Sequence, residues 1–205
     1  MAALALSGVP VARMHVLCED ESVIGRAFYV MEFVQGRVLW EQGLPDMDRD
    51  TRAAIYDEMN RVLVALHTVD VNAVGLQNHG QPGNYFARQV SRWTKQYRAA
   101  ETERLDAMER LISWLAAHEP PDDGRVSLVH GDYRLDNMMF HPTEDRVIAL
   151  LDWELSTLGH PVADLAFQCM QWRLPYGSSA LRGLGGIDRV ALGIPSEEEI
   201  GRAHV

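Results

Sequence analysis

The pattern of hydrophobic and polar positions predicts short strands on either side of a helical middle region. Near the N-terminus, β-forming residues at 11–17 and 26–33 flank the turn-like stretch Glu19-Asp20-Glu21-Ser22, which predicts an antiparallel hairpin. Gly36 interrupts the second strand, and a mixed loop is predicted up to about Asp48. These features place the first sheet of the protein at the start of the chain.

Apolar residues then recur at helical spacing in three consecutive segments. The first segment, about 50–68, carries Ile55, Met59, Val62 and Leu66 at spacings of four, three and four. The second stripe consists of Phe86, Val90, Trp93 and Tyr97, and the third of Leu105, Met108, Leu111, Ile112 and Leu115. We interpret all three stripes as faces packed into the core rather than as a cofactor site.

The second half of the chain returns to short β-like segments. Pro120-Pro121 and the following Asp122-Asp123-Gly124 end the helical region. Strands are predicted over 127–130, 137–140 and 147–151, and the last two are joined by a turn at 142–145. A helix over about 162–172 and a glycine-rich mobile loop through Gly186 follow. This distribution predicts an α+β protein.

Both ends of the sequence resemble interrupted helices. The first seven residues read as the last turns of a helix, followed by Gly8 and Pro10 as a stop. Ser196 and Glu199 form a capping-box pattern that predicts a helix start just before Val205. We therefore expect the chain to be a fragment of a longer protein.

Composition and charge narrow the class of protein. The 205 residues are 47% hydrophobic and 23% charged, which is typical of a folded domain. A net charge of −10 without a Lys or Arg run argues against nucleic-acid and membrane-surface partners. No apolar stretch is long enough to span a membrane. Cys18 and Cys169 lack metal-type spacing, and we expect reduced, buried thiols in a cytoplasmic protein.

Polar residues concentrate where apolar strands end. The segment His130-Gly131-Asp132-Tyr133-Arg134-Leu135-Asp136-Asn137 joins two apolar strands, and the strand 148–151 delivers Asp152 at its tip. A carboxylate there is costly to bury unless it is paired or binds a metal. The predicted hairpin brings Asn137 and Asp152 together. Oxygen ligands without His or Cys at ligand spacing suit Mg²⁺ that holds phosphates.

These residues resemble the catalytic and metal loops of protein-kinase-like phosphotransferases. His130-Gly131-Asp132, Asn137 five residues after the Asp, and Asp152-Trp153 are most similar to the aminoglycoside phosphotransferase/choline kinase branch. Residues 130–166 resemble bacterial phosphotransferases related to the kinase-like domain of acyl-CoA dehydrogenase family members 10 and 11, and the similarity extends more weakly over almost the whole chain. The resemblance implies a protein-kinase-like fold. Residues 1–35 would be a remnant of the N-terminal lobe with the hinge, and 36–205 the helical C-terminal lobe.

The resemblance also implies roles for individual residues of the catalytic and metal loops. Asp132 matches the catalytic Asp that orients the substrate hydroxyl and accepts its proton, and Asn137 and Asp152 match Mg²⁺ ligands. Arg134 would either touch the transferring phosphate or form a surface salt bridge. Asp136 would brace the loop, with substrate contact as the alternative.

Other residues receive supporting or nucleotide-binding roles from the same resemblance. Asp164 would brace the catalytic loop by hydrogen-bonding its backbone, and His130 would be a packed, hydrogen-bonded residue. Residues 28–36 resemble the hinge between the lobes, where the Glu32 carbonyl and the Val34 amide would bind adenine. Two further histidines, His141 and His160, show no partner pattern, and we interpret both as turn residues.

The activity that the resemblance implies is ATP-dependent phosphoryl transfer to the hydroxyl of a small molecule, with ATP and Mg²⁺ as cofactors. Such catalysis consists of positioning and electrostatic stabilisation. The family's glycine-rich phosphate loop and strand lysine are missing, since no lysine precedes Phe28 and Lys95 is the only lysine. We therefore expect little turnover from this chain alone.

Two other functions remain open on the sequence. One is a non-catalytic, pseudokinase-type binding module. The other is a metallophosphatase, which Gly131-Asp132 and Asp136-Asn137 resemble superficially, although its Asp-x-His and Gly-Asn-His signals do not occur. The sequence does not choose between a hydroxyacyl compound, an aminoglycoside and another alcohol as substrate, and it does not indicate the oligomeric state.

Overall fold

The computed structural model describes residues 1–81, 83–177 and 182–204. Within these ranges the chain forms seven short strands and six helices. They are β1 (Met14–Cys18), β2 (Phe28–Met31), β3 (Arg37–Val38), α1 (Arg49–His67), α2 (Tyr85–Ala100), α3 (Asp106–Ala117), β4 (Ser127–Val129), β5 (Met138–Phe140), β6 (Val147–Leu150), β7 (Thr157–Gly159), α4 (Val162–Met170), α5 (Arg189–Leu192) and α6 (Glu197–His204). Of the predicted mobile loop before Gly186, residues 178–181 lie outside the described residues.

The strands pair into three small antiparallel sheets. β1 pairs with β2 and places Leu17 opposite Tyr29, which confirms the predicted N-terminal hairpin. β5 lies between β3 and β6, and the β5–β6 hairpin confirms the second predicted one. The third sheet pairs β4 with β7. The two strands on either side of the polar segment 130–137 are β4 and β5, and each is therefore hydrogen-bonded to at least one other strand.

The core is built around α1. The helix begins at its N-cap Asp48, whose Oδ1 accepts a hydrogen bond from the Thr51 amide at 2.9 Å. All four residues of its predicted apolar stripe are buried, as are Tyr56 and Leu63. The same core contains buried residues of the later sheets and of the C-terminal segment: Leu128, Leu135, Met138, Phe140, Leu150, Trp172 and Ile200. The core prediction for the first helix is confirmed.

The core prediction for the second and third helices is wrong. Neither α2 nor α3 contains a buried residue, and Trp93, Leu105 and Leu111 are each 46% exposed. The two helices pack against each other, and Arg98 Nη2 of α2 donates to Glu109 Oε2 of α3 at 2.7 Å. A helical pair of this kind shields only one side of each helix, so the stripes are half-buried.

The two ends of the described chain differ in how well sequence patterns predict them. The capping box before α6 is formed, because Ser196 N donates to Glu199 Oε2 at 2.8 Å and Glu199 N donates to Ser196 Oγ at 3.2 Å. At the other end, only a single 3₁₀ turn, Ala2–Leu4, precedes Gly8, where several helical turns were predicted. The capping box is predicted correctly because its two partners, Ser196 and Glu199, are only three residues apart in the sequence.

Cysteine burial and membrane-spanning potential were also predicted from the sequence. Cys169 is buried, and burial raises the pKa of its thiol to about 11. Cys18 is only partly buried on β1, because the β1–β2 hairpin lies at the surface, so the prediction of two buried thiols is wrong for this residue. Among the described residues, no helix combines the length and the hydropathy that crossing a bilayer requires.

Candidate active site

The loop that follows β4 can turn as it does because residue 131 is glycine. Gly131 has φ +86°, and a Cβ there would lie 2.7 Å from the Leu155 carbonyl oxygen. The preceding His130 lies directly after β4 and is fully buried, and the following Asp132 is partly exposed. The glycine therefore lets the backbone pass close to Leu155 and present Asp132 at the surface.

Asp132 and Asn137 are in direct contact. The Nδ2 group of Asn137 donates to the backbone carbonyl of Asp132 at 2.9 Å and to its carboxylate Oδ2 at 2.7 Å. A 3₁₀ turn at Leu135–Asn137 brings the amide back toward the aspartate. Among the described residues, Asp132 Oδ1 and Asn137 Oδ1 accept no hydrogen bond, so both oxygens remain available to a ligand.

Asp152 lies beside this pair at the end of the β5–β6 hairpin. The Leu151 amide donates to the Asn137 carbonyl at 2.9 Å, which joins the two ends of the hairpin. Asp152 itself is exposed and is the N-cap of the 3₁₀ turn Trp153–Leu155. An exposed carboxylate beside an amide oxygen is a donor set that fits a hard cation shared with phosphates. The residues predicted as Mg²⁺ ligands are thus brought together.

His130 holds the ends of two strands together from inside the protein. Its Nε2 donates to the Leu151 carbonyl at 2.8 Å, and its Nδ1 accepts the Asp132 amide at 3.3 Å. Burial lowers the pKa of His130, although the nearby Asp164 carboxylate opposes the effect. Both ring nitrogens are engaged with the backbone, which fits the packed role that the resemblance implies.

Asp164 of α4 lies beneath the same loop. Its side chain is buried, and its two oxygens accept the amides of His130 at 2.7 Å and Gly131 at 2.8 Å. This is the backbone contact that the resemblance implies for this residue. Oδ2 also lies 3.1 Å from His67 Nε2, a contact that sequence reasoning missed. The sequence feature that could have indicated this contact is His67 itself, a polar residue directly after the buried Leu66 at the end of α1.

Arg134 and Asp136 form an ion pair within the loop. Arg134 Nε donates to Asp136 Oδ1 at 2.5 Å, and Arg134 Nη2 contacts Asp136 Oδ2. The Asp136 side chain is nearly buried, whereas Arg134 is about one-third exposed. Of the two alternatives for Arg134, the structure contains the salt bridge, and Asp136 lies in the bracing position.

The two histidines predicted to be turn residues differ. His141 does lie in the β5–β6 turn, 3.7 Å from Glu144. His160 is buried, and its Nε2 lies 3.0 Å from Asp123 Oδ1, so its prediction as an unpartnered turn residue is wrong. The cause is a tertiary contact, because Asp123 belongs to the loop before β4.

The predicted hinge residues follow β2 directly. The Glu32 amide donates to the Arg13 carbonyl at 2.8 Å, and Val34 is half-buried. Beyond them, a Cβ on Gly36 would lie 2.3 Å from the Phe140 carbonyl oxygen. The segment after these residues therefore runs tightly against β5, the strand that begins directly after Asn137.

A cleft opens next to the loop 130–137, between α2 and α4. It has a volume of ≈ 280 Å³ and reaches Gly131 and Leu155. Most of its wall is apolar or aromatic, with two polar side chains on α2. The α2 residues in the wall are Tyr85, Phe86, Gln89, Arg92 and Trp93. Two residues of the α2 apolar stripe, Phe86 and Trp93, thus line a cleft, where the core interpretation had placed them in the interior.

Similarity to known proteins identifies the family and the fold of the chain. The model of the phosphotransferase enzyme family matches residues 1–194, and the chain belongs to this family. Its fold is that of the protein-kinase-like phosphotransferases, as predicted. A crystal structure from Ralstonia eutropha JMP134, of a protein assigned as an aminoglycoside phosphotransferase, has a TM-score of 0.91 and 60% identity, and covers 98% of this chain and 61% of that chain.

More distant and longer relatives extend the comparison. The crystal structure of aminoglycoside-3′-phosphotransferase type VIII covers 98% of this chain and 74% of that chain with a TM-score of 0.62 at 22% identity, which shows the shared fold. Acyl-CoA dehydrogenase family member 10 of Mus musculus is 50% identical over 100% of this chain. Member 11 of Homo sapiens is 44% identical over 94% of it. The chain spans 19% and 24% of these two proteins, so it corresponds to one part of each.

Proposed function

We propose that the protein is an ATP-dependent phosphotransferase that moves the γ-phosphate of ATP to a hydroxyl group of a small molecule. The observation that carries the proposal is the Asp132–Asn137 contact of 2.7 Å beside Asp152. In the reaction, the substrate oxygen forms a bond to the γ-phosphorus, the bond to the ADP oxygen breaks, and Asp132 accepts the hydroxyl proton. Asn137 would hold Asp132 in the orientation that this transfer needs.

The nucleotide would lie on the opposite side of Asn137 from Asp132. Asn137 Oδ1 and the Asp152 carboxylate would hold Mg²⁺, which neutralises phosphate charge when it is bound. The Glu32 carbonyl and the Val34 amide, just beyond β2, would bind the adenine edge. A relative of the same fold, APH(2″)-IIa, has been crystallised with streptomycin and ATP, which supports ATP as the phosphate donor.

The acceptor would enter through the cleft between α2 and α4. Its volume of ≈ 280 Å³ lies near the lower end of the range for small-molecule pockets, which supports a small acceptor. Arg92 and Gln89 supply polar groups in a wall that is otherwise largely apolar. Because the cleft reaches Gly131, a hydroxyl bound there would lie next to the residue that precedes Asp132.

The test is Asp132→Asn in the full-length protein, assayed by ADP release with a panel of hydroxyl compounds. The substitution retains the shape of the side chain but removes its ability to accept a proton. A positioned base contributes roughly 10²–10⁴ in rate, so kcat should fall at least about a hundredfold. The KM for ATP should change less than about threefold, because the metal and phosphate contacts remain.

A matched control is Asp145→Asn, which removes a carboxylate from the β5–β6 turn, where it pairs with Arg37. This variant should retain wild-type kinetics. Asp132→Asn activity within about fivefold of wild type would show that Asp132 is not the central residue. Binding of Mg·ATP without ADP release for any acceptor would contradict the proposal and favour the pseudokinase-type module.

A further inference from the structure

Three side chains from three helices meet behind residues 130–137, the loop that carries Asp132 and is called the catalytic loop below. His67 lies in the last turn of α1, Asp164 in the first turn of α4, and His204 is the last residue of α6. His67 Nε2 is 3.1 Å from Asp164 Oδ2, and His67 Nδ1 is 2.6 Å from His204 Nε2. The side chains of His67 and Asp164 are only 4% and 1% exposed, so the contact between them is shielded from water.

Elementary chemistry fixes the direction of part of this chain of contacts. An ionised carboxylate only accepts hydrogen bonds, so His67 Nε2 must donate to Asp164 Oδ2. His67 Nδ1 and His204 Nε2 are 2.6 Å apart, so one of these two nitrogens must carry a proton and donate it to the other in a hydrogen bond. Both nitrogens of His67 are therefore engaged, and the plane of its ring is set from two sides.

The far end of the chain of contacts is the backbone of the candidate active site. Asp164 accepts the amides of His130 and Gly131, the two residues directly before Asp132. Asp164 Oδ2 is shared between the His130 amide at 2.7 Å and His67 Nε2 at 3.1 Å. Any change in how His67 holds this oxygen therefore changes the support of the turn that presents Asp132.

At the opposite end of this chain of contacts, α6 is held in place by contacts that do not involve His204. Arg173 Nη2 donates to Glu197 Oε2 at 2.9 Å, and Trp172 Nε1 donates to the Pro195 carbonyl at 2.8 Å, so the start of α6 is fixed next to the end of α4. Ile200, one turn before His204, is fully buried. With its start and middle fixed, α6 delivers His204 to a defined place beside His67.

We propose that His67 is a positioning residue for the catalytic loop, and that His204 couples the docking of α6 to this loop through His67. His67 orients Asp164, and Asp164 in turn holds the amides that precede Asp132. Burial lowers the pKa of His204, with the nearby His67 adding to the effect, which is consistent with a neutral imidazole in this contact. The kinetic part of this proposal rests on the proposed function, whereas its structural part does not.

The test combines kinetics with amide NMR on the full-length protein. In His67→Leu, which removes both hydrogen bonds, kcat should fall at least about tenfold while the KM for ATP changes less than about threefold. The backbone amide resonances of His130 and Gly131 should shift as well. His67→Gln can still donate to Asp164, so it should restore most of kcat and most of the wild-type amide shifts.

His204→Ala is the second variant, and it keeps the test decisive if His67→Leu does not fold. It should shift the same two amides in the same direction by a smaller amount and lower kcat about threefold to tenfold. His118→Ala, at the exposed end of α3, is the control and should change neither measurement. If His67→Leu folds and its His130 and Gly131 resonances are unchanged, the proposal is overturned. If His67→Leu does not fold, unchanged resonances in His204→Ala overturn it instead. If the wild type has no phosphotransferase activity but the amides respond, the positioning role stands and the proposed function fails.

Discussion

Asp152 adopts a backbone conformation that is unusual for a residue with a side chain. Its φ and ψ are 59° and 61°, in the left-handed region, at the point where β6 turns into the 3₁₀ turn Trp153–Leu155. This conformation costs roughly 1–2 kcal/mol for a typical L-residue, and aspartate tolerates it better than most. Such conformations occur often at functional sites. In this protein it ends the hairpin beside Asn137 and leaves the carboxylate exposed.

At the scale of this single residue, Asp152→Asn tests the metal assignment. If Asp152 holds Mg²⁺, replacing one carboxylate oxygen by an amide should weaken Mg²⁺-dependent nucleotide binding at least tenfold, or ~1.4 kcal/mol. Isothermal titration calorimetry with ATP in the presence and absence of Mg²⁺ measures the change. Glu154→Gln, an exposed carboxylate two residues away, is the matched control and should bind as the wild type does. Equal affinities in Asp152→Asn and wild type would remove Asp152 from the metal site.

The individual residues also show what a sequence can reveal about a site. The pairing of Asp132 with Asn137 follows from a fixed spacing of five residues, and the hairpin then adds Asp152. In contrast, His67 lies 97 residues from Asp164 and 137 residues from His204. No local pattern joins such residues, because their contact depends on how α1, α4 and α6 pack. Local motifs and the family resemblance therefore predicted the exposed residues of the site and the buried Asp164 and His130, whereas the contacts of His67 became visible only in the folded chain.

Among the helices, α1 and α3 have similar apolar periodicity but different surroundings. α1 is covered by strands and by α6, whereas α3 packs mainly on α2. Periodicity shows that a helix has one apolar face, but it does not show what covers that face. The sequence therefore predicted the helices and the core position of α1 correctly, and it predicted core positions for α2 and α3 that they do not occupy.

A matched pair of leucine substitutions measures this difference between the helices. Leu63 of α1 is fully buried, and Leu111 of α3 is 46% exposed. Leu63→Ala should lower the free energy of unfolding by about 2–5 kcal/mol, because it leaves a cavity in the core. Leu111→Ala should cost less than about 1 kcal/mol, since water already reaches half of the side chain. Urea denaturation measures both values, and equal losses would contradict the peripheral position of α3.

At the scale of the whole molecule, the β1–β2 hairpin carries the largest group of exposed apolar side chains among the described residues. Leu17 and Tyr29 lie opposite each other on one face and are 64% and 52% exposed. Val16 and Val30 are paired next to them, alternate to the opposite face of the two-stranded sheet, and are also exposed. Both faces of this sheet are therefore accessible to water. The net charge of −10 opposes association of two copies in general, so self-association should begin at the hairpin, where the exposed apolar surface favours it most.

The 205-residue chain should therefore self-associate through the hairpin. In sedimentation velocity, its average mass should rise with protein concentration, and raising the salt concentration should increase association by screening the negative charge. The double variant Leu17→Ser/Tyr29→Ser removes the apolar pair on one face and should shift the protein toward monomer. Val190→Ser, which replaces an exposed valine on α5 outside the hairpin, should associate as the wild type does. A monodisperse wild-type monomer at all concentrations and salt levels would show that the charge outweighs the exposed apolar surface. Equal association of the wild type and the double variant would place the contact elsewhere on the molecule.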